Sequence, residues 1–343
     1  PFFHYFIADF SWNAIICCMR FQIAKLKNED VIMKNKTTGN SFLLLLTAFI
    51  WGVAFVAQSK GGDEIGPFTF NCLRFLIGGI VLLPVTKLLD KLGYSGKKPA
   101  SEKDKKTLLK GGLMCGIILC VSSSFQQLGL SKGCPVGKAG FLTACYIILV
   151  PILGLFLKKK CSAKIWISIM MTVVGLYLLC MNGAFSLRPE DGLVLICAFC
   201  FACHILAVDH FSPLVDGVRL SCIQFFTAGC ICAIPMIMVE MKPFSGNFMI
   251  WGTAFTSLQA WIPLLYAGIL SCGVAYTLQI IGQDGVNPAI ASLLMSLESV
   301  FSVLAGFLLL HQKLSLRELA GCSFIFVAVI LAQLPERRNK DQR

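Results

Sequence analysis

The sequence contains the same pattern twice, with matching positions separated by 152 residues. Seven residues of the first half recur in the second: Gly116, Cys120, Gln127, Gly133, Ala139, Leu142 and Gly154 match Gly268, Cys272, Gln279, Gly285, Ala291, Leu294 and Gly306. Upstream the pattern continues at a separation of 151, where Phe75, Gly78 and Pro84 match Phe226, Gly229 and Pro235. Repetition at a fixed period predicts two copies of one structural unit.

Long uncharged stretches alternate with short charged islands along the chain. Hydrophobic residues make up 56% of the sequence and charged residues 14%, against about a quarter in soluble domains. Each stretch is long enough to cross a hydrocarbon core as a helix, and its continuous apolar character disfavours a β-barrel. We predict an all-α polytopic membrane protein with ten transmembrane helices, at about 41–60, 66–88, 109–130, 135–157, 163–182, 191–209, 219–240, 258–282, 286–310 and 315–334.

Each copy contains five of these helices, within 41–182 and 190–335. Because five is odd, the second copy enters the membrane from the opposite side. The copies are therefore predicted to be inverted repeats about a pseudo-two-fold axis in the membrane plane. Such repeats suit alternating access, because two similar halves can exchange conformations and open the molecule to either side.

The net charge of +12 is concentrated in loops on one side of the predicted membrane. Basic clusters at Lys25 to Lys36, Lys87 to Lys110 and Lys158 to Lys164 occupy alternate loops, and the positive-inside rule assigns that side to the cytoplasm. We expect a multi-pass protein of a bacterial-type plasma (inner) membrane, with a cytoplasmic N-terminus and a cytoplasmic tail at 336–343. Its partners would be a small-molecule substrate and the lipid bilayer, without nucleic acid.

Residues 1–32 precede the first repeat and begin with Pro1. The segment is aromatic and apolar but contains Asp9 and Arg20. We interpret it as a non-native or cytoplasmic N-terminal extension, with Met33 as the natural start; an eleventh helix or an interfacial helix stays open. A cleaved signal peptide is disfavoured, because no basic region comes first and no small-x-small site follows.

Most of the 17 cysteines lie inside the apolar stretches, where a thiol packs as a small apolar group, and we predict them to be reduced and structural. The spacing Cys197-x2-Cys200-x2-Cys203-His204 resembles a metal motif. Six residues turn a helix by about 600°, however, so Cys197 and Cys203 point about 120° apart. We predict no metal and no cofactor, because the sequence also lacks a nucleotide loop, a paired-histidine zinc motif and a nucleophile elbow.

Several motifs resemble the EamA-type transporters of the drug/metabolite transporter superfamily, over about residues 41–334. They are Trp51-Gly52, Gly66-Pro67-Phe68-Thr69-Phe70-Asn71 with Arg74-Phe75, Gly137-Lys138-Ala139-Gly140-Phe141 with Val150-Pro151, Ala291-Ser292-Leu293, Leu297-Glu298-Ser299-Val300, Gly306 and Lys313-Leu314-Ser315. The resemblance implies two EamA repeats that move amino acids, other metabolites or toxic compounds, efflux included. The family usually has Gly-Glu where this chain has His311-Gln312, which removes a carboxylate at the membrane edge.

Arg74 and Glu298 are the fixed charges that lie well inside predicted spans. Each costs roughly 2.5–3.5 kcal/mol on insertion scales, so both should face the interior of the bundle. Their counterparts in the other copy are Phe225 and Tyr146, so these charges are what the copies do not share. For Glu298 we favour a substrate-amine or proton site over a carboxyl bonded between helices. For Arg74 we favour a structural charge that pairs with backbone carbonyls or snorkels outward.

Further polar and aromatic residues inside the spans are candidates for the lining of a substrate cavity, although structural roles stay open for Trp51 and the two glutamines, and a proton role for His204. The predicted substrate-binding residues are Glu298, Trp51, Ser123, Gln127, Tyr146, His204, Tyr276 and Gln279. We predict a secondary transporter of small organic metabolites, amino acids or related solutes, with proton coupling resting on Glu298. The alternatives are an uncoupled channel-like facilitator and, disfavoured by four scattered histidines, a membrane-embedded enzyme.

Overall fold

The structure is a computed structural model that describes residues 32–92, 98–159, 161–181, 187–241, 251–310 and 315–334. Residues 1–31 of the predicted N-terminal extension, the tail at 336–343 and the His311-Gln312 pair lie outside the described residues.

Helices account for nearly all of the described chain. The helices of the first copy are α1 (Ile32–Ile65), α2 (Pro67–Lys91), α3 (Glu102–Ser131), α4 (Val136–Ala144), α5 (Tyr146–Phe156) and α6 (Ala163–Cys180). Those of the second are α7 (Pro189–Phe211), α8 (Gly217–Pro235, continued by a π-helix at Met236–Met241), α9 (Leu258–Leu265), a π-helix at Tyr266–Tyr276, α10 (Thr277–Gln283), α11 (Pro288–Met295), α12 (Glu298–Leu310) and α13 (Leu316–Gln333).

Within the described ranges, eight helical segments are long and apolar enough to cross a membrane. Two shorter apolar helices, Gly39–Phe55 and Pro288–Leu304, complete the set of ten. The predicted all-α fold with ten transmembrane helices is confirmed.

The helix ends follow from local sequence. Ser101 and Ser315 each begin a helix with a capping box. The serine hydroxyl accepts a hydrogen bond from the N–H three residues later, and the acidic side chain of that later residue accepts one from the N–H of the serine. The turns before the fourth and ninth spans contain Gly133 and Gly285, a repeat-related pair with φ of 93° and 77°. A side chain is disfavoured at such angles, which explains glycine at both positions.

The packing order shows the two copies related by a pseudo-two-fold axis. The third span, α3, packs against α7 and α8, the sixth and seventh spans. The eighth span, from α9 to α10, packs against α1 and α2, which is the same arrangement with the copies exchanged. Two equivalent pairs, α2 with α8 and α6 with α13, contact each other directly. Equivalent helices can meet only near the axis that relates them.

Two spans are broken near their middles, which the sequence did not indicate. The fourth span divides at Cys145, and the ninth divides at Ser296 and Leu297. The backbone tightens there, because the Cys145 N–H donates to Leu142 and the Leu297 N–H donates to Leu294, at 3.2 and 3.3 Å. Cys145 and Leu297 are 152 residues apart, so the break belongs to the repeated unit.

Candidate functional site

A cavity lies between the two copies and is lined by residues of both. The lining residues are Trp51, Phe55, Gln58, Arg74, Gln126, Thr143, Tyr146, Phe201, His204, Ile205, Ser271, Tyr276, Gln279, Met295 and Glu298. Six of the eight predicted substrate-binding residues are in this set: Trp51, Tyr146, His204, Tyr276, Gln279 and Glu298.

The two broken spans bring Tyr146 and Glu298 together. Tyr146 is the first residue of α5 and Glu298 the first residue of α12, so each follows a helix break. The Tyr146 Oη donates a long hydrogen bond of 3.5 Å to Glu298 Oε1, and both side chains are buried. This is the one hydrogen bond that the described residues offer the carboxyl of Glu298. Glu298 is also one of the residues that line the cavity.

Arg74 also lines the cavity, with 2% of the residue exposed. Its guanidinium lies 5.6 Å from the Phe70 ring and 4.9 Å from the Phe75 ring. Within the described ranges it forms no ion pair and no hydrogen bond, and its Nε is buried without a partner. Cation–π contacts contribute about 0.5–2 kcal/mol, less than the roughly 2.5–3.5 kcal/mol of burying the charge in a membrane. The predicted pairing with carbonyls and the predicted snorkelling are both absent from this part of the chain.

Aromatic rings form one wall of the cavity. The Trp51 and Tyr276 rings lie 4.6 Å apart at 61°, and the Trp51 Nε1–H donates to the Ser271 carbonyl at 3.4 Å. The His204 ring lies edge-on to Tyr276 at 6.1 Å. These contacts hold the rings in fixed, mutually inclined orientations, and the rings give a solute apolar surface to pack on.

Several lining groups retain unused hydrogen-bonding capacity. The Nε2 of His204 is 3.2 Å from the Gln224 Oε1, while its Nδ1 is buried without a partner. The Oε1 atoms of Gln58 and Gln279 are likewise buried and unpaired. Unpaired buried polar atoms are costly, so a polar ligand or water that reached those of the lining residues would compensate for them.

The remaining two candidates, Ser123 and Gln127, lie outside the cavity lining. The Gln127 Nε2 donates to the carbonyl of Gln58 at 3.0 Å, and the Ser123 carbonyl accepts from the Asn71 Nδ2 at 3.0 Å. Both residues join α3 to its neighbours. The adjacent Gln126 lines the cavity instead and donates to the Thr143 Oγ1 at 3.2 Å.

Sequence reasoning missed several lining residues. They are Phe55, Gln58, Gln126, Thr143, Phe201, Ile205, Ser271 and Met295, and Arg74 was assigned a structural role. A charged residue inside a span was the sequence feature that could have placed Arg74 at the cavity. No group of three His, Cys, Asp or Glu side chains in the described part of the chain is placed to hold a metal ion.

Two segments of the chain, residues 39–181 and 188–334, match the sequence profile of the EamA-like transporter family. The chain belongs to the EamA-like transporter family. Each match covers one of the five-span units, so the repeat seen in the sequence is the family's own domain. The protein is therefore a multi-pass membrane transporter and not an enzyme.

Relatives extend over most of the transporter's length. An uncharacterized transporter of Archaeoglobus fulgidus is 28% identical over 292 residues, which cover 85% of this chain and 84% of the relative. The uncharacterized transporter YetK of Bacillus subtilis is 23% identical, with 91% and 93% covered. Protein PecM of Dickeya dadantii is 25% identical, with 85% and 92% covered. A protein crystal structure, 18% identical, has the same fold with a TM-score of 0.68, over 86% of this chain and 96% of that chain.

Proposed function

We propose that this protein is a secondary transporter of small organic solutes, amino acids or related metabolites, that works by alternating access around the cavity between its repeats. The observation that carries the proposal is the contact of Tyr146 with Glu298 in that cavity. A residue that contacts its own repeat equivalent lies beside the pseudo-two-fold axis. A solute bound there touches both repeats, which is the geometry that inverted-repeat transporters use.

The ends of the α2–α8 pair give a second argument for alternating access. At one end, Glu240 Oε1 accepts from the Phe68 N–H at 2.8 Å and its Oε2 accepts from the Thr69 N–H at 2.6 Å. At the other, Arg219 donates to both oxygens of Asp90 at 2.7 Å. We call these contacts the two end ties. They join equivalent helices of different repeats at opposite ends, so opening one without the other would expose one side of the molecule.

Glu298 is the proposed substrate-amine or proton group. A carboxylate in a span is costly, and the single long bond from Tyr146 does not compensate for it. A bound ammonium would pair with this carboxylate, and a proton would neutralise it. Efflux and uptake are both compatible with this site, and the proposed setting is a bacterial-type plasma membrane with both termini cytoplasmic, as the loop charges favour.

Counterflow in proteoliposomes tests the proposal. Vesicles that contain purified transporter are loaded with unlabelled amino acids and then given the labelled compounds outside. Saturable accumulation of label supports a carrier, whereas flux that rises linearly with concentration supports a channel-like facilitator. A Glu298→Gln variant measured across pH tests coupling: a pH dependence that is unchanged in this variant removes Glu298 as the proton group.

A further inference from the structure

We infer that the transported solute is a net-neutral zwitterion whose anionic group binds Arg74 and whose ammonium group binds Glu298. This inference rests on the proposed transport function and assigns a substrate class and an orientation to the same cavity. The single feature behind it is a pair of opposite charges that line one cavity without pairing with each other.

Arg74 supplies the anion-binding half of the argument. Its side chain is almost completely buried, it comes from the second span of the first repeat, and its guanidinium has no anionic partner in the described residues. Its guanidinium lies over the rings of Phe70 and Phe75, and its Nε is buried without a hydrogen-bond partner. A guanidinium presents parallel N–H groups that match the two oxygens of a carboxylate. A solute carboxylate is therefore the group that completes this site.

Glu298 supplies the cation-binding half. It is buried, it comes from the ninth span in the second repeat, and its one bond is the long contact from Tyr146. Gln58 and Gln279 line the same cavity, and the Oε1 of each is a buried acceptor without a hydrogen-bond partner. An ammonium group has three donors, so a carboxylate together with amide oxygens is the set of partners that suits it.

The charge balance of the cavity favours a zwitterion over a singly charged solute. Arg74 and an ionised Glu298 add to zero, so a net-neutral dipolar solute leaves both charges paired. A simple carboxylate would leave Glu298 unpaired, and a simple amine would leave Arg74 unpaired; either outcome retains one costly buried charge. The two charges also come from different repeats, so a zwitterion that binds both connects the halves that must move together.

Binding to matched analogues tests the inference. The purified transporter in lipid nanodiscs is titrated with each of the twenty L-amino acids, and the shift of its unfolding temperature is recorded. Every acid that binds is compared with its α-amide, which lacks the anionic charge, and with its deaminated acid, which lacks the ammonium. We expect at least one amino acid to bind, and both analogues to bind about 10- to 100-fold more weakly.

Two variants test the role of the Arg74 charge. Arg74→Gln should bind the acid and its amide equally, whereas Arg74→Lys, which keeps the charge, should retain part of the preference for the acid. Lys110→Gln, at an exposed position of α3, removes the same charge from the surface and should match the wild type. Size-exclusion profiles and unliganded unfolding temperatures identify any variant that fails to fold, in which case Arg74→Lys alone decides.

The outcomes distinguish this inference from the transport proposal. If none of the twenty acids binds, or if Arg74→Gln retains the full preference for acid over amide, the zwitterion assignment is overturned. Saturable counterflow of a different solute class would then leave the transport proposal standing. If no labelled solute shows counterflow but amino acids bind with the expected analogue pattern, the carrier proposal fails and the binding site remains.

Discussion

Tyr146 and Glu298 are 152 residues apart, the period of the internal repeat, and their side chains contact each other at 3.5 Å inside the cavity. Each stands immediately after the break of its own span. The backbone feature is therefore shared by the two copies, while the side chains have diverged into a phenol and a carboxyl. The two copies therefore share the helix break beside the axis but differ in the side chain that follows it.

Removing the charge at this pair should impair transport more than removing the phenol. Glu298→Gln is expected to lower the initial counterflow rate by roughly tenfold or more, because it removes a buried charge that the solute would pair with. Tyr146→Phe removes one long hydrogen bond, which contributes about 0.5–1.5 kcal/mol, so a loss of about two- to tenfold is expected. Tyr177→Phe, a phenol with 37% exposure on α6, is the matched control and should match the wild type. A Tyr146→Phe variant as impaired as Glu298→Gln would contradict this ranking.

The repeat, the ten spans and the central position of Glu298 could be read from the sequence because each depends on residue type and period alone. Lipid-facing and core-facing surfaces of these spans are both apolar, so helical periodicity does not mark the buried side. The sequence consequently could not decide between Gln126 and Gln127, which are adjacent on α3 and face different neighbours. Only the packing of α3 sets that rotation.

The role of Arg74 depended on its surroundings rather than on its type. Pairing with carbonyls, snorkelling and cavity lining all suit an arginine eight residues into a span. The rings of Phe70 and Phe75 cover its guanidinium, and its Nε is left without a partner. Both rings belong to its own helix, whereas its place in the cavity lining depends on how α2 packs against the rest of the bundle.

Backbone amide hydrogen exchange should show that the two end ties of the α2–α8 pair open independently of each other. The Phe68 and Thr69 N–H groups belong to the first turn of α2, where backbone N–H groups have no acceptor within the helix. The carboxylate of Glu240 accepts from both of them. Glu240→Gln should accelerate exchange at this end by roughly tenfold, since bonds to a charged acceptor contribute about 1.5–3 kcal/mol. Asp90→Asn should accelerate exchange at the opposite end, near Arg219.

Mass-spectrometric exchange of the reconstituted protein resolves the two ends as separate peptides. Glu102→Gln serves as the control, because its pair with Lys105 is exposed on both sides and contributes little. Acceleration at both ends in either variant would show that the helix pair opens as one unit, against independent end ties.

Breaking a largely buried ion pair between the repeats should destabilise the protein. Asp191 is fully buried, accepts from the Arg188 N–H at 2.7 Å and from the Lys138 ammonium, and thereby joins α4 to α7. Asp191→Asn removes the negative charge that this ammonium contacts, and loss of one partner of a buried pair costs about 3–5 kcal/mol. Unfolding in mixed detergent micelles measures the change.

The exposed pair Lys105–Glu102 is the comparison for that variant. Lys105→Gln should change the free energy of unfolding by less than about 1 kcal/mol, and added salt should reduce even that effect. Equal losses in the two variants would mean that the Asp191 pair is solvated in the native protein, contrary to its burial.

Close contact between α6 and α13 depends on two facing glycines. A Cβ on Gly175 would lie 2.8 Å from the Gly321 carbonyl oxygen, and a Cβ on Gly321 would lie 2.7 Å from the Gly175 carbonyl oxygen. Backbone cannot move aside as a flexible side chain can, so Gly175→Ala and Gly321→Ala should each destabilise the protein by about 1–3 kcal/mol.

Gly140 and Gly192 are helical glycines whose added Cβ would meet nothing within 4 Å. Alanine there should be neutral or stabilising by up to about 1 kcal/mol, since it removes backbone entropy from the unfolded chain. Thermal unfolding of the four single variants separates the two classes. Destabilisation by Gly192→Ala equal to that by Gly321→Ala would contradict the assignment of the loss at Gly321 to the close approach of α6 and α13.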